Sequence, residues 1–97
     1  MEIGENIANG FFEKAMAAVA DPYRMRIIRK IRERGVMRCC DIVELTGLSQ
    51  PTCSHHIKLL ADSELIECRK EGRSNYITLH KENFKKLGKF IDQFSEA

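Results

Sequence analysis

The sequence predicts a mainly α-helical domain carrying one small β-hairpin, and three observations support this. Apolar residues recur at helical spacing in five separate stretches. The period changes to alternation only after Asp62. Caps of the Asp-Pro or Ser-x-Pro kind, or a glycine, mark most of the changes between elements. With 97 residues, the chain reads as a single domain over 1–97, large enough for a core and small enough to gain from a partner.

The first stretch, about 5–19, keeps Ile7, Phe11, Ala15, Ala18 and Val19 on one helical stripe, with Phe12 and Met16 as a second apolar edge. A stripe that wide serves core burial or a dimer interface. Asp21 then caps a second helix whose first position is Pro22. Tyr23, Ile27, Ile28 and Ile31 are its expected buried side, and Arg24, Arg26, Arg29, Lys30, Arg32 and Arg34 its basic outer side, before Gly35 ends it. Those cations suit phosphate contact, and cations near a helix C-terminus are also favoured for their own sake.

Val36 and Met37 read as a short extended link. A third helix runs from Cys39 or Cys40 to Thr46 with Ile42, Val43 and Leu45 as its apolar residues, and Gly47 breaks it. The fourth helix begins at the N-cap Ser49, with Pro51 in its first turn. Cys53, His56, Ile57 and Leu60 form its buried stripe. The remaining face shows Gln50, Thr52, Ser54, His55 and Lys58, short hydrogen-bonding groups and one cation, which suits base edges between phosphates. Two helices joined by a glycine-containing turn, over about 40–61, make a helix-turn-helix.

Leu65–Lys70 and Asn75–Leu79 alternate as strands around the turn Glu71-Gly72-Arg73-Ser74, a basic-tipped hairpin over about 65–79. Helix-turn-helix followed by such a hairpin is a winged helix. A last helix, about 81–95, sets Phe84, Leu87, Ile91 and Phe94 on one face with Phe90 beside them, and Lys85, Lys86 and Lys89 on the other. Its aromatic side chains need cover, and the first helix is the natural partner, within the chain or across a two-fold axis.

Composition excludes several classes. The formal charge of +2 says little about nucleic acid, but its distribution does: Asp and Glu are absent from Ser49 to Ala61, while Arg69, Lys70 and Arg73 cluster just beyond. No apolar run approaches the roughly 20 residues of a membrane span, and Glu2, Glu5 and Asn6 interrupt any secretory signal. Four cysteines without a Cys-x-x-Cys pair point to a reducing cytoplasm. No phosphate-cradling glycine loop, convergent Cys-His-Asp set or pair of carboxylates in an apolar setting supports an enzyme.

Val19-Ala20-Asp21-Pro22-Tyr23-Arg24-Met25-Arg26-Ile27-Ile28, Leu48-Ser49-Gln50-Pro51-Thr52-Cys53-Ser54-His55-His56-Ile57-Lys58-Leu59-Leu60 and Lys70-Glu71-Gly72-Arg73 together resemble the ArsR/SmtB family over about Met16 to Leu79. The resemblance implies a homodimeric winged-helix transcriptional repressor, paired through its first and last helices, that leaves double-stranded operator DNA when an effector binds. It implies Gln50, Thr52, Ser54 and His55 at base edges and neighbouring phosphates and Lys58 at a phosphate. Arg69, Lys70 and Arg73 of the wing would reach the backbone or minor groove. His56 matches a family histidine that packs into the core. The operator would be an imperfect palindrome read about one DNA turn apart.

The same resemblance bears on the effector. The last-helix ligand positions of zinc-type sensors fall on Lys81, Asn83, Phe94 and Ala97, which offer no such ligand set, and the N-terminal arm has no cysteine. A third sensor type carries Cys-x-Cys-Asp at the start of the third helix. Here Arg38-Cys39-Cys40-Asp41 keeps Cys40 and Asp41, with arginine in place of the first cysteine and Cys39 between. Cys39 and Cys40 are therefore the candidate ligands for an arsenite- or antimonite-like metalloid or a soft metal ion, with no constitutive cofactor. Arg38 and the helix N-terminus are expected to lower their pKa values. Redox or sulfur-species sensing by the same thiols, or a purely structural role, are the alternatives. Cys53, on the buried stripe, is a core position that can approach the third helix and complete a three-thiolate site. Cys68 is a structural or solvent-facing wing thiol. Beside the repressor stands a different class of reading, a winged-helix module that binds protein through its helices.

Overall fold

The computed structural model of the protein describes residues 3–96, and their side chains from Gly10 onward. Five α-helices and three short strands follow in the order α1 (Ile3–Val19), α2 (Pro22–Arg34), β1 (Met37–Arg38), α3 (Cys39–Thr46), α4 (Gln50–Asp62), β2 (Ile66–Glu71), β3 (Ser74–Leu79) and α5 (Lys81–Asp92), closed by a 3-10 turn at Gln93–Ser95. This is a winged helix-turn-helix. The side chain of Ile7, expected on the α1 stripe, and Ala97 lie outside the described residues.

The boundaries follow from caps. The Asp21 carboxylate accepts the Arg24 N–H at 3.0 Å, and Pro22 sits where a missing N–H costs nothing. At the other end Gly35, at φ +86°, donates its N–H to the Ile31 carbonyl, a backbone shape that disfavours any side chain. Gly47 ends α3 in the same way, left-handed at φ +72° and bonded to Val43. Its turn lets α4 begin within three residues, and α3 and α4 pack together.

The extended link is more than a link. Met37 and Arg38 pair antiparallel with Ile77 and Tyr76, so the sheet has three strands in the order β1-β3-β2. Two residues carry no readable period, but Met37 is fully buried and its burial fixes the pairing. The core beneath the sheet gathers Ile27, Ile31, Ile42, Leu60, Leu65 and Ile77, all fully buried.

Two expectations about helix faces need correction. Tyr23 is exposed rather than buried, because it stands at the start of α2, beyond the core. On α5, Leu87 is buried and Phe84 packs on the core, but Ile91 and Phe94 remain 48% and 71% exposed. The α-helix stops at Asp92. Phe12 of α1 stacks on Phe90 at 4.2 Å between centroids, and Phe90 meets Phe94 edge-on at 5.6 Å. An aromatic seam thus runs from α1 across α5 and ends in the open. Among the described residues no helix is long and apolar enough to cross a membrane.

Candidate nucleic-acid interface

The fourth helix is started by Ser49. Its hydroxyl oxygen accepts the Thr52 N–H at 3.4 Å and donates to the Thr52 hydroxyl at 2.9 Å, which fixes the first turn and one of the outward side chains together. Gln50, Thr52, Ser54, His55 and Lys58 are all exposed, while Cys53, His56 and Leu60 are buried. The helix period therefore divides the two sets as expected. The outward face has a tether at its end: Lys58 pairs with Asp62 at 3.1 Å, one turn on.

What holds the helix in place is a polar network that the residue pattern does not announce. Arg24 of α2 donates from Nε to the Ala18 carbonyl at 2.7 Å and from Nη2 to the Ala17 carbonyl at 3.3 Å, capping the end of α1. Its Nη1 lies 3.2 Å from Nδ1 of His56. A guanidinium has only donors, so Nδ1 accepts and the ring proton belongs on Nε2. The Asp21 carboxylate stands 4.0 Å from the same Nδ1, and the Tyr23 ring lies 5.9 Å from the His56 ring. Hydrogen bonding from the Arg24 N–H holds the Asp21 carboxyl below its usual range against the opposing effect of burial, and the Arg24 charge and the Tyr23 N–H add to the lowering. Arg24, counted on the outer basic face by its neighbours in sequence, thus works inward. Arg26, Arg29, Arg32 and Arg34 are exposed, and Lys30 pairs with Glu33 at 3.0 Å.

In the hairpin, β2 and β3 pair from Ile66↔Leu79 to Glu71↔Ser74, and Gly72, at φ +62°, makes the tip. Arg69, Lys70 and Arg73 are exposed. Arg69 is held by Glu71 at 2.9 Å. Lys70 lies two residues beyond Cys68 and so shares its face of the strand. Cys68 pairs with Ile77, which places that face toward the core and α4.

The four cysteines are free and occupy different surroundings. Cys53 is fully buried, its sulfur 3.3 Å from the Thr46 hydroxyl. It does approach α3, as expected, but at the C-terminal end. Thr46 and Cys39 are the last and first residues of that helix, roughly 10 Å apart at 1.5 Å per residue, so Cys53 does not join a three-thiolate site. Cys40 is exposed, its sulfur 4.0 Å from an Asp41 oxygen. Arg38 is taken up by Asp41, which accepts its backbone N–H at 2.9 Å and lies 3.7 Å from its guanidinium. That backbone hydrogen bond, together with the Arg38 and Arg34 charges, lowers the Asp41 carboxyl against the opposing effect of burial. Cys39, Cys40 and Cys53 therefore do not gather into one metal centre. Among the described residues no group of three or more His, Cys, Asp and Glu could hold a metal ion.

Cys39 instead lines a cleft of about 300 Å³ with Ser54, Ile57, Lys58, Cys68 and Ile77. The residue Cys68 is exposed as a whole, yet desolvation at its sulfur pushes its thiol pKa up, and the Cys39 charge pushes it further. On the last helix, Asn83 is buried and donates to the Glu64 carbonyl at 2.7 Å, a structural role at one of the zinc-sensor positions.

Comparison with known proteins adds the family. Residues 21–67 match the sequence profile described as "Bacterial regulatory protein, arsR family". An uncharacterised HTH-type transcriptional regulator of Methanocaldococcus jannaschii is 33% identical over 85 residues, covering 84% of this chain and 96% of the relative. The arsenical resistance operon repressor of Staphylococcus xylosus is 34% identical over 77 residues, covering 79% of this chain and 73% of the relative. In shape the chain is similar to a homodimeric winged helix-turn-helix DNA-binding domain from Mycobacterium bovis, with a TM-score of 0.77 at 20% identity, over 98% of this chain and 87% of that one.

Proposed function

This chain belongs to the arsR family of bacterial regulatory proteins, a family of DNA-binding transcriptional regulators and not of enzymes, and on that premise we propose that it is a homodimeric repressor released from operator DNA by a thiol-reactive effector. The observation that carries the DNA reading is the outward face of α4. Gln50, Thr52, Ser54, His55 and Lys58 are exposed on a helix whose other side is fixed by Leu60, Cys53 and the His56–Arg24 contact. Gln50 and its neighbours would enter the major groove, and Arg69, Lys70 and Arg73 would follow the backbone from the wing.

The dimer reading rests on Ile91 and Phe94, large apolar side chains left exposed at the end of the Phe12–Phe90 stack, and on the homodimeric domain that this fold resembles. A second copy packing α1 and α5 on the same elements would cover them.

For the effector, support comes from the arsenical resistance repressor among the relatives and from the free thiols at the start of α3. Cys39 and Cys40 are the positions that the family motif points to, for an arsenite- or antimonite-like metalloid or a soft metal ion. Fluorescence anisotropy on the DNA upstream of its own gene tests both parts. Loss of affinity in Gln50→Ala and Arg73→Ala is expected, and unchanged affinity in both would return the chain to a protein-binding module. Arsenite is expected to release the DNA. Release only by a mild oxidant would make the thiols redox sensors.

A further inference from the structure

Building on the thiol-responsive reading above, we infer that Cys39 shares a trivalent arsenical with Cys68 of the wing rather than with Cys40, in the cleft between β2 and the recognition helix.

The fold brings the two thiols to one cleft. Met37 and Cys68 both stand opposite Ile77, one from each side of β3. The chain leaves β1 after Arg38, opposite Tyr76, and enters α3 at Cys39, and both cysteines line the cleft with Ile77. Cys40 does not line it. Successive residues of a helix point about 100° apart, and the Cys40 sulfur faces the Asp41 carboxylate instead.

An atom that bonds both sulfurs holds them farther apart than the ~2.05 Å of a disulfide, so a bridge makes a looser demand on the cleft than direct oxidation would. Ser54 and Lys58, two of the outward residues of α4, also line the cleft, so an occupant would touch the proposed DNA-reading face directly. Such coupling between two ligands typically amounts to about 5- to 150-fold in affinity.

Phenylarsine oxide is a suitable probe because it can bond two thiols and no more. Two S–H bonds break, two As–S bonds form, the oxide oxygen leaves as water with both protons, and arsenic stays trivalent. No oxidant or reductant takes part. Trypsin separates the cysteines usefully: cleavage after Arg38, Lys58 and Arg69 leaves Cys39, Cys40 and Cys53 in peptide 39–58 and Cys68 alone in peptide 59–69. Mass spectrometry of the reduced, folded chain treated with one equivalent should find phenylarsenic joining 39–58 to 59–69. The join should vanish in Cys68→Ser and persist in Cys40→Ser. A phenylarsenic bridge confined to 39–58, or none, overturns the assignment.

The DNA assay separates this site from the wider reading. If arsenite releases the wild-type protein and Cys68→Ser equally well, the wing thiol is not the ligand, while the thiol-responsive repressor stands. If the 39–68 bridge forms but DNA stays bound, the site stands and the reading of release by a thiol-reactive effector fails.

Discussion

The two sides of α4 differ more than any other pair of surfaces in the molecule. The inner side is fixed several times over: Leu60 and Cys53 have no exposure, the Cys53 sulfur meets the Thr46 hydroxyl, and His56 is held by an arginine that also caps α1. The outer side makes only two short side-chain contacts among the described residues, Ser49–Thr52 at its start and Lys58–Asp62 at its end. A reading surface needs both properties at once. Donors and acceptors must be left unpaired for a ligand, and the element that bears them must not move, since a loose reader would lose ordering entropy on every binding event. Changes on the inner side should therefore alter stability, and changes on the outer side should alter affinity alone.

The strongest test is Leu60→Ala. Removing a fully buried leucine side chain costs about 2–5 kcal/mol, a large part of the total stability of a domain this size. Urea unfolding should show the loss, and DNA affinity of the folded fraction should change little. A full-strength loss of DNA binding in a well-folded Leu60→Ala would break the division between the two sides.

Arg24→Ala comes next, because one side chain serves three elements. It should cost about 1.5–3 kcal/mol, the range for hydrogen bonds to a charged group. Arg24→Lys should recover little of it, since an ammonium cannot reach the Ala17 and Ala18 carbonyls and His56 in one fork. Thermal unfolding of the two variants decides it, and full rescue by lysine would reduce the network to a simple charge effect.

On the outer side, Gln50→Ala should leave the unfolding midpoint within about 0.5 kcal/mol and weaken specific DNA binding by about 1–3 kcal/mol. Arg73→Ala should weaken all sequences alike and lower the salt slope by about one. Equal effects of Gln50→Ala on specific and random DNA would move that residue from base edge to phosphate.

How much of this the chain announces depends on range. Helix starts and stops were legible because they are local: Asp21-Pro22, Ser49 with Pro51, Gly35 and Gly47 act within one turn of themselves. The period separated Gln50, Thr52, Ser54, His55 and Lys58 from Cys53, His56 and Leu60 for the same reason. What escaped depends on distant partners. β1 is two residues long and exists only through β3. Arg24 sits in a run of arginines, and nothing beside it says that its long stem turns inward. One signal was there, the Asp-x-x-Arg spacing that lets Asp21 accept the Arg24 N–H. Cys68 carries no local mark at all. Only the folded chain sets it on the same cleft as Cys39. Ile91 and Phe94 keep the period of a buried face, yet they stand exposed among the described residues.

The smallest expected effect concerns acid, and it distinguishes the cap of α2 from the helix it supports. The Asp21 carboxyl is held below its ordinary value of 3.8, chiefly by the Arg24 N–H. Below that value the unfolded chain takes up the proton first, so protonation favours unfolding. The contribution of this group is therefore complete above about pH 4 and fades as pH falls through the lower folded value. From pH 7 to 5 the carboxylate should contribute no slope to the unfolding midpoint. Asp21→Asn keeps a side-chain oxygen that can accept the same N–H, and asparagine caps as well as aspartate, so stability at pH 7 should fall by less than in Asp21→Ala. The acid slope should flatten in both. Urea unfolding at pH 7 and pH 3.5 makes the comparison. An Asp21→Asn variant with the wild-type acid slope would assign that slope to other carboxylates, beginning with Asp41, whose pKa is lowered in the same way by the Arg38 N–H.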